Sequence, residues 1–215
     1  MKITILCSSI SHPINSWLKK WIAENNLEHD LSLIREKDKL TDGDILFLIS
    51  CHEIIKQEDR DKFKYTLVIH ASDLPKGRGW NPHVWDIING ESLITVTLLE
   101  AEDAVDSGKI WKKENIHIPK HTLHDEINNT LFDSELRLMT YAVRNFKNIN
   151  PTKQSQKITP TYHRLRNPED SRIDPEKSIL EQFDLLRVCD PIRFPAFFEL
   201  HGYTYNLKIK KIKNT

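Results

Sequence analysis

The sequence predicts an α/β protein: a mostly parallel sheet with helices on both faces, followed by a small C-terminal helix plus β-hairpin appendage. Three observations predict it. Short apolar runs of strand length recur through the first half, at Ile3–Cys7, Asp44–Ser50, Leu67–His70 and Thr95–Ala101. Helical stretches fall between them, and alternation of this kind buries a parallel sheet between covering layers. After Asn148 the texture changes to a polar segment carrying Pro151, Pro160, Pro168 and Pro175. The natural division is residues 1–149, an α/β domain carrying the chemistry, and residues 150–215, a loop, a helix and a hairpin.

Each element has its own warrant. Ile3–Cys7 is a buried strand that ends at Ser8-Ser9. Ser11 and Pro13 then announce a helix, and Ile14, Trp17, Leu18, Trp21 and Ile22 fall at helical spacing, so both tryptophans face the core. Asp30–Ile34 reads as a second strand, Asp42-Gly43 as a turn and Asp44–Ser50 as a buried strand. The charged stretch Glu58–Phe63 reads as helical and leads to a strand at Leu67–His70. Pro82 opens a helix that Gly90 stops. Thr95–Ala101 is the next strand, with Gly108–Ile118 extending it or pairing with it. The order is Rossmann-like. Thr122-x-x-Asp125 resembles a capping box before a long helix at Leu123–Phe146. Asn150–Pro175 reads as a long loop that needs a ligand or a partner to be ordered. Asp174-Pro175 starts a last helix, and His201-Gly202 sits at the turn of a hairpin within Phe197–Ile212. Lys208–Lys213 reads as a lysine-rich edge.

Composition excludes several classes. Lys plus Arg number 31 and Asp plus Glu number 31, so the formal charge is zero. That argues against a broad phosphate-neutralising face for nucleic acid. No apolar run reaches the length of a membrane span, and the N-terminal run is too short for a signal peptide. Cys7, Cys51 and Cys189 form no C-x-x-C and read as reduced thiols. The expectation is a cytoplasmic protein without membrane or nucleic-acid partners. His117, His121 and His124 have near-helical spacing, but Pro119 breaks the first interval; no metal is expected.

The chemistry concentrates in two loops. His70 closes a buried strand and is followed by Ala71–Asn81, a loop with Pro75, Lys76, Gly77, Arg78 and Gly79. Ligands of open α/β sheets bind beyond the carboxyl ends of the strands. The next strand ends in the carboxylate-rich loop Glu100–Gly108. A carboxylate beside a histidine fixes its tautomer and orientation, so His70 and an acid from this loop form a candidate acid/base pair.

At these residues the sequence resembles the N10-formyltetrahydrofolate-dependent formyltransferases. Their pattern is an Asn-x-His strand end, then S-L-L-P-x-x-R-G, then D-x-G after a following strand. His70–Gly79 (HASDLPKGRG) and Val105–Ile110 (VDSGKI) match, 36 positions separate His70 from Asp106, and the likeness covers roughly residues 1–118. The resemblance implies that His70 and Asp106 are catalytic. It departs at one place: the family's asparagine position is Val68, which cannot donate a hydrogen bond. Asn81, Ser72 or backbone N–H groups are the candidate replacements.

His70–Pro82 is further similar to an H-x-S-D-L-P-x-G-x-G-W box of nucleotide-sugar formyltransferases, with Arg166–Asp174, Leu186–Asp190 and Phe194–Phe198 behind it. The charge balance and early end set the chain apart from the tRNA-directed branch. This similarity implies a sugar N-formyltransferase that moves a formyl group from N10-formyltetrahydrofolate, releasing tetrahydrofolate, to a nucleotide-linked amino sugar. The sugar would be of dTDP-4-amino-4,6-dideoxyglucose type, for O-antigen or surface glycan. It implies a homodimer. The cosubstrate would lie against Leu48, Ile49, Ser50, Glu102, Asp103 and Val105. The sugar nucleotide would meet Ser72, Lys76, Gly77, Arg78, Trp80, Arg166, Asp170 and Arg187. Lys76 and Arg78 read equally as diphosphate contacts or as solvated cations. Phe194, Phe197, Tyr203 and Tyr205 read as stacking groups, hairpin core or dimer surface. A formyltetrahydrofolate hydrolase and a catalytically impaired nucleotide-sugar-binding relative are the alternatives.

Overall fold

A computed structural model of the chain describes residues 1–212. In chain order the strands and helices are β1 (Lys2–Leu6), α1 (Ile14–Asn25), β2 (Asp30–Ile34), β3 (Gly43–Leu48), α2 (Gln57–Arg60), β4 (Phe63–His70), β5 (Arg78–Gly79), α3 (Pro82–Ile88), β6 (Leu93–Glu100), β7 (Ile110–His117), α4 (His124–Asn145), β8 (Tyr162–His163), α5 (Ile179–Val188), β9 (Ala196–Leu200) and β10 (Tyr203–Leu207).

Six strands form the central sheet in the order β2-β1-β3-β4-β6-β7. The first four run parallel. β6 and β7 run antiparallel to their neighbours, so the sheet is mixed although mainly parallel. The run at Gly108–Ile118 thus pairs with β6 rather than extending it. Antiparallel neighbours need only a short connection, and residues 101–109 supply it. Every strand alternates. Ile3, Ile5, Ile45, Phe47, Leu67, Val96 and Leu98 bury one face against α1, α3 and α4. Leu6, Leu46 and Leu48 bury the other against Leu40, Ile55 and Phe63. That second face carries only the short α2 and a turn at Lys37–Lys39, so the two covering layers are unequal.

Several boundaries move. The charged stretch before β4 is helical only at Gln57–Arg60, and β4 already begins at Phe63, whose ring is buried. The long helix is not capped by Thr122. Thr122 Oγ1 donates to the Pro119 carbonyl at 2.7 Å, while Glu126 Oε2 accepts the Leu123 N–H at 3.0 Å. The last helix starts at Ser178, not Asp174; Ser178 Oγ accepts the Glu181 N–H at 3.2 Å, a true capping box. The turn of the β9–β10 hairpin is His201-Gly202, both left-handed, as a two-residue hairpin loop requires. β10 ends at Leu207; residues 208–212 are not strand, and Lys213 lies outside the described residues. Among the described residues, no helix is long and apolar enough to cross a membrane.

The polar segment after Asn148 is ordered by the chain itself. Thr152 exchanges backbone hydrogen bonds with Ile110, and β8 pairs with β5. Residues 152–164 therefore form a strap across the two loops that follow β4 and β6. Beyond it, Ile173, Leu186, Cys189 and Ala196 form a small separate core. Arg187 joins α5 to the loop between β7 and α4. It is fully buried, donating from Nε to Asp184 at 2.6 Å and from Nη1 to the Pro119 carbonyl at 3.2 Å.

Candidate active site

The site is built where β3, β4 and β6 end. β4 delivers His70, 7 % exposed. Its Nε2 donates to the Gly77 carbonyl at 2.7 Å; a carbonyl only accepts, so Nε2 is the protonated nitrogen in this arrangement. Its Nδ1 lies 3.6 Å from Asp106 Oδ2. Asp106 stands on the β6–β7 loop with φ +53°, a left-handed conformation that aspartate tolerates better than most residues. The same Oδ2 accepts the Gly79 N–H at 2.9 Å. One carboxylate therefore bonds the glycine loop and faces the histidine ring, with which it forms an ion pair only when both ring nitrogens are protonated. The structure thus brings His70 within 3.6 Å of an acid of the next loop.

The loop between His70 and α3 is fixed from several sides. Ser72 is buried; its N–H donates to the His70 carbonyl and its own carbonyl accepts the Thr97 hydroxyl at 2.7 Å. Its Oγ is buried with no hydrogen-bond partner among the described residues. The strap supplies the rest. The Thr161 hydroxyl accepts the Gly77 N–H at 2.8 Å, and the Thr161 and His163 carbonyls accept the Arg78 and Trp80 N–H groups. Gly79 has φ +93°, and a Cβ there would run into the His163 carbonyl, so only glycine lets the strap close. Gln154 donates to the carbonyls of Asp106 (2.7 Å) and Gly108 (3.0 Å). No sequence signal marked Gln154 or Thr161, because their roles come from pairing across the fold.

The other proposed contacts divide. Leu48 and Ile49 are buried at the end of β3, while Glu102, Asp103 and Val105 are exposed. Asp103 accepts from Arg60 of α2 at 2.6 Å, which ties the β6–β7 loop to the β3–β4 connection. Trp80 is 41 % exposed, its ring 5.6 Å from that of His52. Lys76 is exposed. Arg78 is not a free cation, since it donates to Gln154 Oε1 at 2.7 Å and to the Tyr162 hydroxyl at 3.2 Å. Arg166 and Asp170 hold their own turn. Arg166 donates to the Asp170 carbonyl, and the Arg164 guanidinium holds the Asp170 carboxyl down at about 2. Arg187, read as a substrate contact, is corrected: it is fully buried and ties α5 to the loop that follows β7. Asn81 is exposed at the start of α3 with φ +46° and makes no side-chain cap bond, so the structure does not join it to His70 or Asp106.

A cluster of imidazoles surrounds the strand ends. The His12 ring is pushed down to about 4 by burial, reinforced by Arg193, His52 and His124. His83 is pushed down to about 4 by burial, then by His70, His124 and His12. Two of this group, His12 and His83, were not singled out from the sequence. His124 faces Asp190 at 3.8 Å and hydrogen-bonds Asn128, and among the described residues no group of three His, Cys, Asp or Glu side chains is placed to hold a metal ion. The three cysteines are free, and Cys51 is only half-buried.

A histidine–carboxylate pair at the strand ends of an α/β sheet, roofed by a glycine loop, is an arrangement suited to acid–base chemistry on a ligand bound there. The formyl transferase family profile matches residues 8–143, and the chain belongs to that family. It is 30% identical over 172 residues to the methionyl-tRNA formyltransferase of Rickettsia typhi, an alignment covering 80% of this chain and 54% of that protein. The chain thus spans about half the length of the curated relatives it matches. Its backbone is similar to that of methionyl-tRNA formyltransferase from Clostridium thermocellum, with a TM-score of 0.83 at 23% identity over 99% of this chain and 94% of the other. It is also similar to a sugar N-formyltransferase from Shewanella sp FDAARGOS_354, with a TM-score of 0.73 at 16% identity over 99% of both chains.

Proposed function

We propose that the protein transfers the formyl group of N10-formyltetrahydrofolate to the amine of a nucleotide-linked amino sugar. The observation that carries the chemistry is the His70–Asp106 pair, with Asp106 Oδ2 shared between the His70 ring and the Gly79 N–H. The neutral amine adds its lone pair to the formyl carbon, and the carbonyl electrons move to oxygen. The Nε2–H that now meets the Gly77 carbonyl is the donor this oxyanion takes over. Collapse restores the carbonyl and breaks the bond to N10, which leaves with the proton that the amine lost, relayed through Asp106 or water. Asp106, directly or through water, accepts the proton the amine loses and keeps the imidazole oriented. Holding both reactants at one strand end supplies effective molarities on the order of 10⁵ M.

The acceptor is argued from the remaining surface. Charges balance across the sequence, which disfavours a broad polyanion-binding face. The likeness to a sugar N-formyltransferase includes the strap and hairpin region. Tetrahydrofolate, the nucleotide sugar and a homodimer through the exposed Phe194, Leu200, Tyr203 and Tyr205 belong to the same proposal, as do surface-glycan synthesis and a cytoplasmic setting. A second reading has its own support, since the Rickettsia typhi relative acts, by its name, on methionyl-tRNA. One experiment separates them. The protein is incubated with N10-formyltetrahydrofolate and, in parallel, a panel of nucleotide-linked 3-amino and 4-amino sugars and charged initiator methionyl-tRNA. Tetrahydrofolate release and acceptor mass are followed. A formyl group gained by one sugar supports the proposal; gain on the tRNA alone overturns it in favour of the second reading. Release with no acceptor modified points to a hydrolase.

A further inference from the structure

Val68 carries no hydrogen-bond donor on its side chain, and the neighbouring strand ends in a residue that does. β3 and β4 are parallel and in register, Leu48 opposite Val68. The chain two residues beyond Leu48 is Ser50, and two residues beyond Val68 is His70. Ser50 therefore leaves β3 beside the end of β4. It does so with φ +47°, a conformation that costs serine about 1–3 kcal/mol and that clusters at functional sites. It is half-buried.

The hydroxyl of Ser50 lies 3.1 Å from His12 Nε2. The direction of that bond is fixed on the other side of the ring. His12 Nδ1 accepts the Ile14 N–H at 3.3 Å, so the proton of the neutral imidazole sits on Nε2 and is given to Ser50 Oγ. With its lone pair engaged, the serine keeps its own O–H for another acceptor. The histidine is held in turn, because Asn15, buried, donates to the carbonyls of Ser9, Ile10 and His12 at 2.8–3.1 Å. This is a donor built on a rigid loop, as preorganised stabilisation of a developing charge demands.

We propose that Ser50 is a catalytic residue that donates its hydroxyl hydrogen to the formyl oxygen as it becomes an oxyanion, in place of the amide that Val68 cannot provide, and that His12 is the positioning residue that aims it. The proposal rests on the reading of this site as a formyl-transfer site.

The test uses two folate probes and needs no acceptor. One is 10-formyl-5,8-dideazafolate, whose formyl group stays planar. The other is 10-formyl-5,8,10-trideazafolate, an aldehyde whose hydrate mimics the tetrahedral state. Binding of both is measured by calorimetry to the full chain and to Ser50→Ala, Ser50→Gly, the pair Ser50→Ala with Val68→Asn, His12→Phe and His12→Gln. Ser50→Gly relieves the backbone strain while removing the hydroxyl. The expected result is at least a tenfold loss of affinity for the hydrated aldehyde in both Ser50 variants, with less than a twofold change for the planar probe. Val68→Asn should restore most of it in the Ser50→Ala background, and His12→Gln, which keeps an N–H donor, should outperform His12→Phe. Equal losses for both probes would make Ser50 a donor-binding residue and overturn the proposal. No change in either would overturn it too, leaving the formyl-transfer reading intact. A wild-type chain that binds neither probe would overturn both.

Discussion

The site turns on single atoms with two duties. Asp106 Oδ2 serves the His70 ring and the Gly79 N–H together. Replacing Asp106 by Asn keeps the size but removes the charge and offers the wrong hydrogen-bond polarity to one of the two. His70→Ala removes the proposed oxyanion donor outright. We expect kcat to fall by about 10²–10⁴-fold in each, the range for losing a positioned acid or base, with the affinity for the planar folate analogue little changed; near-wild-type turnover of either variant would remove these residues from the mechanism. Gly79→Ala tests the strap instead. A Cβ there meets the His163 carbonyl at a backbone angle that disfavours any side chain. The variant should protect Arg78 and Trp80 less against proteolysis and weaken substrate binding before it changes kcat. The pair and the glycine loop were readable in the sequence because they are close in the chain or carried by a motif. Gln154 and Thr161 were not, since their value arises only when residues far away in sequence are brought within 3 Å.

At the scale of elements, β1, β3, β4 and β6 were legible because each carries a short apolar run that a buried sheet needs on both faces, whereas the two-residue β5 and β8 lay in stretches read as loops. The boundaries that moved did so for local reasons. Thr122 turned its hydroxyl back to Pro119, leaving Glu126 to satisfy the first free N–H of α4. β4 reached back to Phe63 because that ring fills the thin second layer beneath the sheet. Arg187 shows the opposite error: a charged residue in a motif looks functional, yet here it is 0 % exposed and holds α5 to the loop before α4. Removing it should cost stability, not chemistry. Arg187→Ala loses two charge-assisted hydrogen bonds, for a loss of about 3 kcal/mol. Urea unfolding should show that drop with the planar folate probe still bound at wild-type affinity; a selective loss of nucleotide-sugar affinity at unchanged stability would return Arg187 to the binding site.

Taken as a whole, the molecule has a pH profile that its buried groups dictate. His12 and His83 are both held near 4 against an ordinary value near 6.5, and burial also lowers His124. Between those values the unfolded chain binds protons that the folded one refuses, so stability rises as pH climbs from about 4 to about 6.5. Glu135 acts in the reverse sense. It lies at helical spacing from Leu131, Leu138 and Ala142 on α4, half-buried, and burial lifts its carboxyl to about 8. From pH 4.5 upward the unfolded chain releases a proton that the folded chain keeps, so stability declines until about 8. Over the shared range the histidines outnumber the glutamate and the net slope is upward; above 6.5 only the glutamate remains. The unfolding free energy should therefore peak near pH 6.5. Glu135→Gln should flatten the alkaline limb, being more stable than the wild type at pH 8 and indistinguishable from it at pH 4. His83→Gln should soften the acid limb. Denaturant titrations at half-unit pH intervals measure both. An unaltered alkaline limb in Glu135→Gln would mean that this carboxylate is ionised in the folded protein and reaches water, and a monotonic rise from pH 6.5 to 8 in the wild type would say the same.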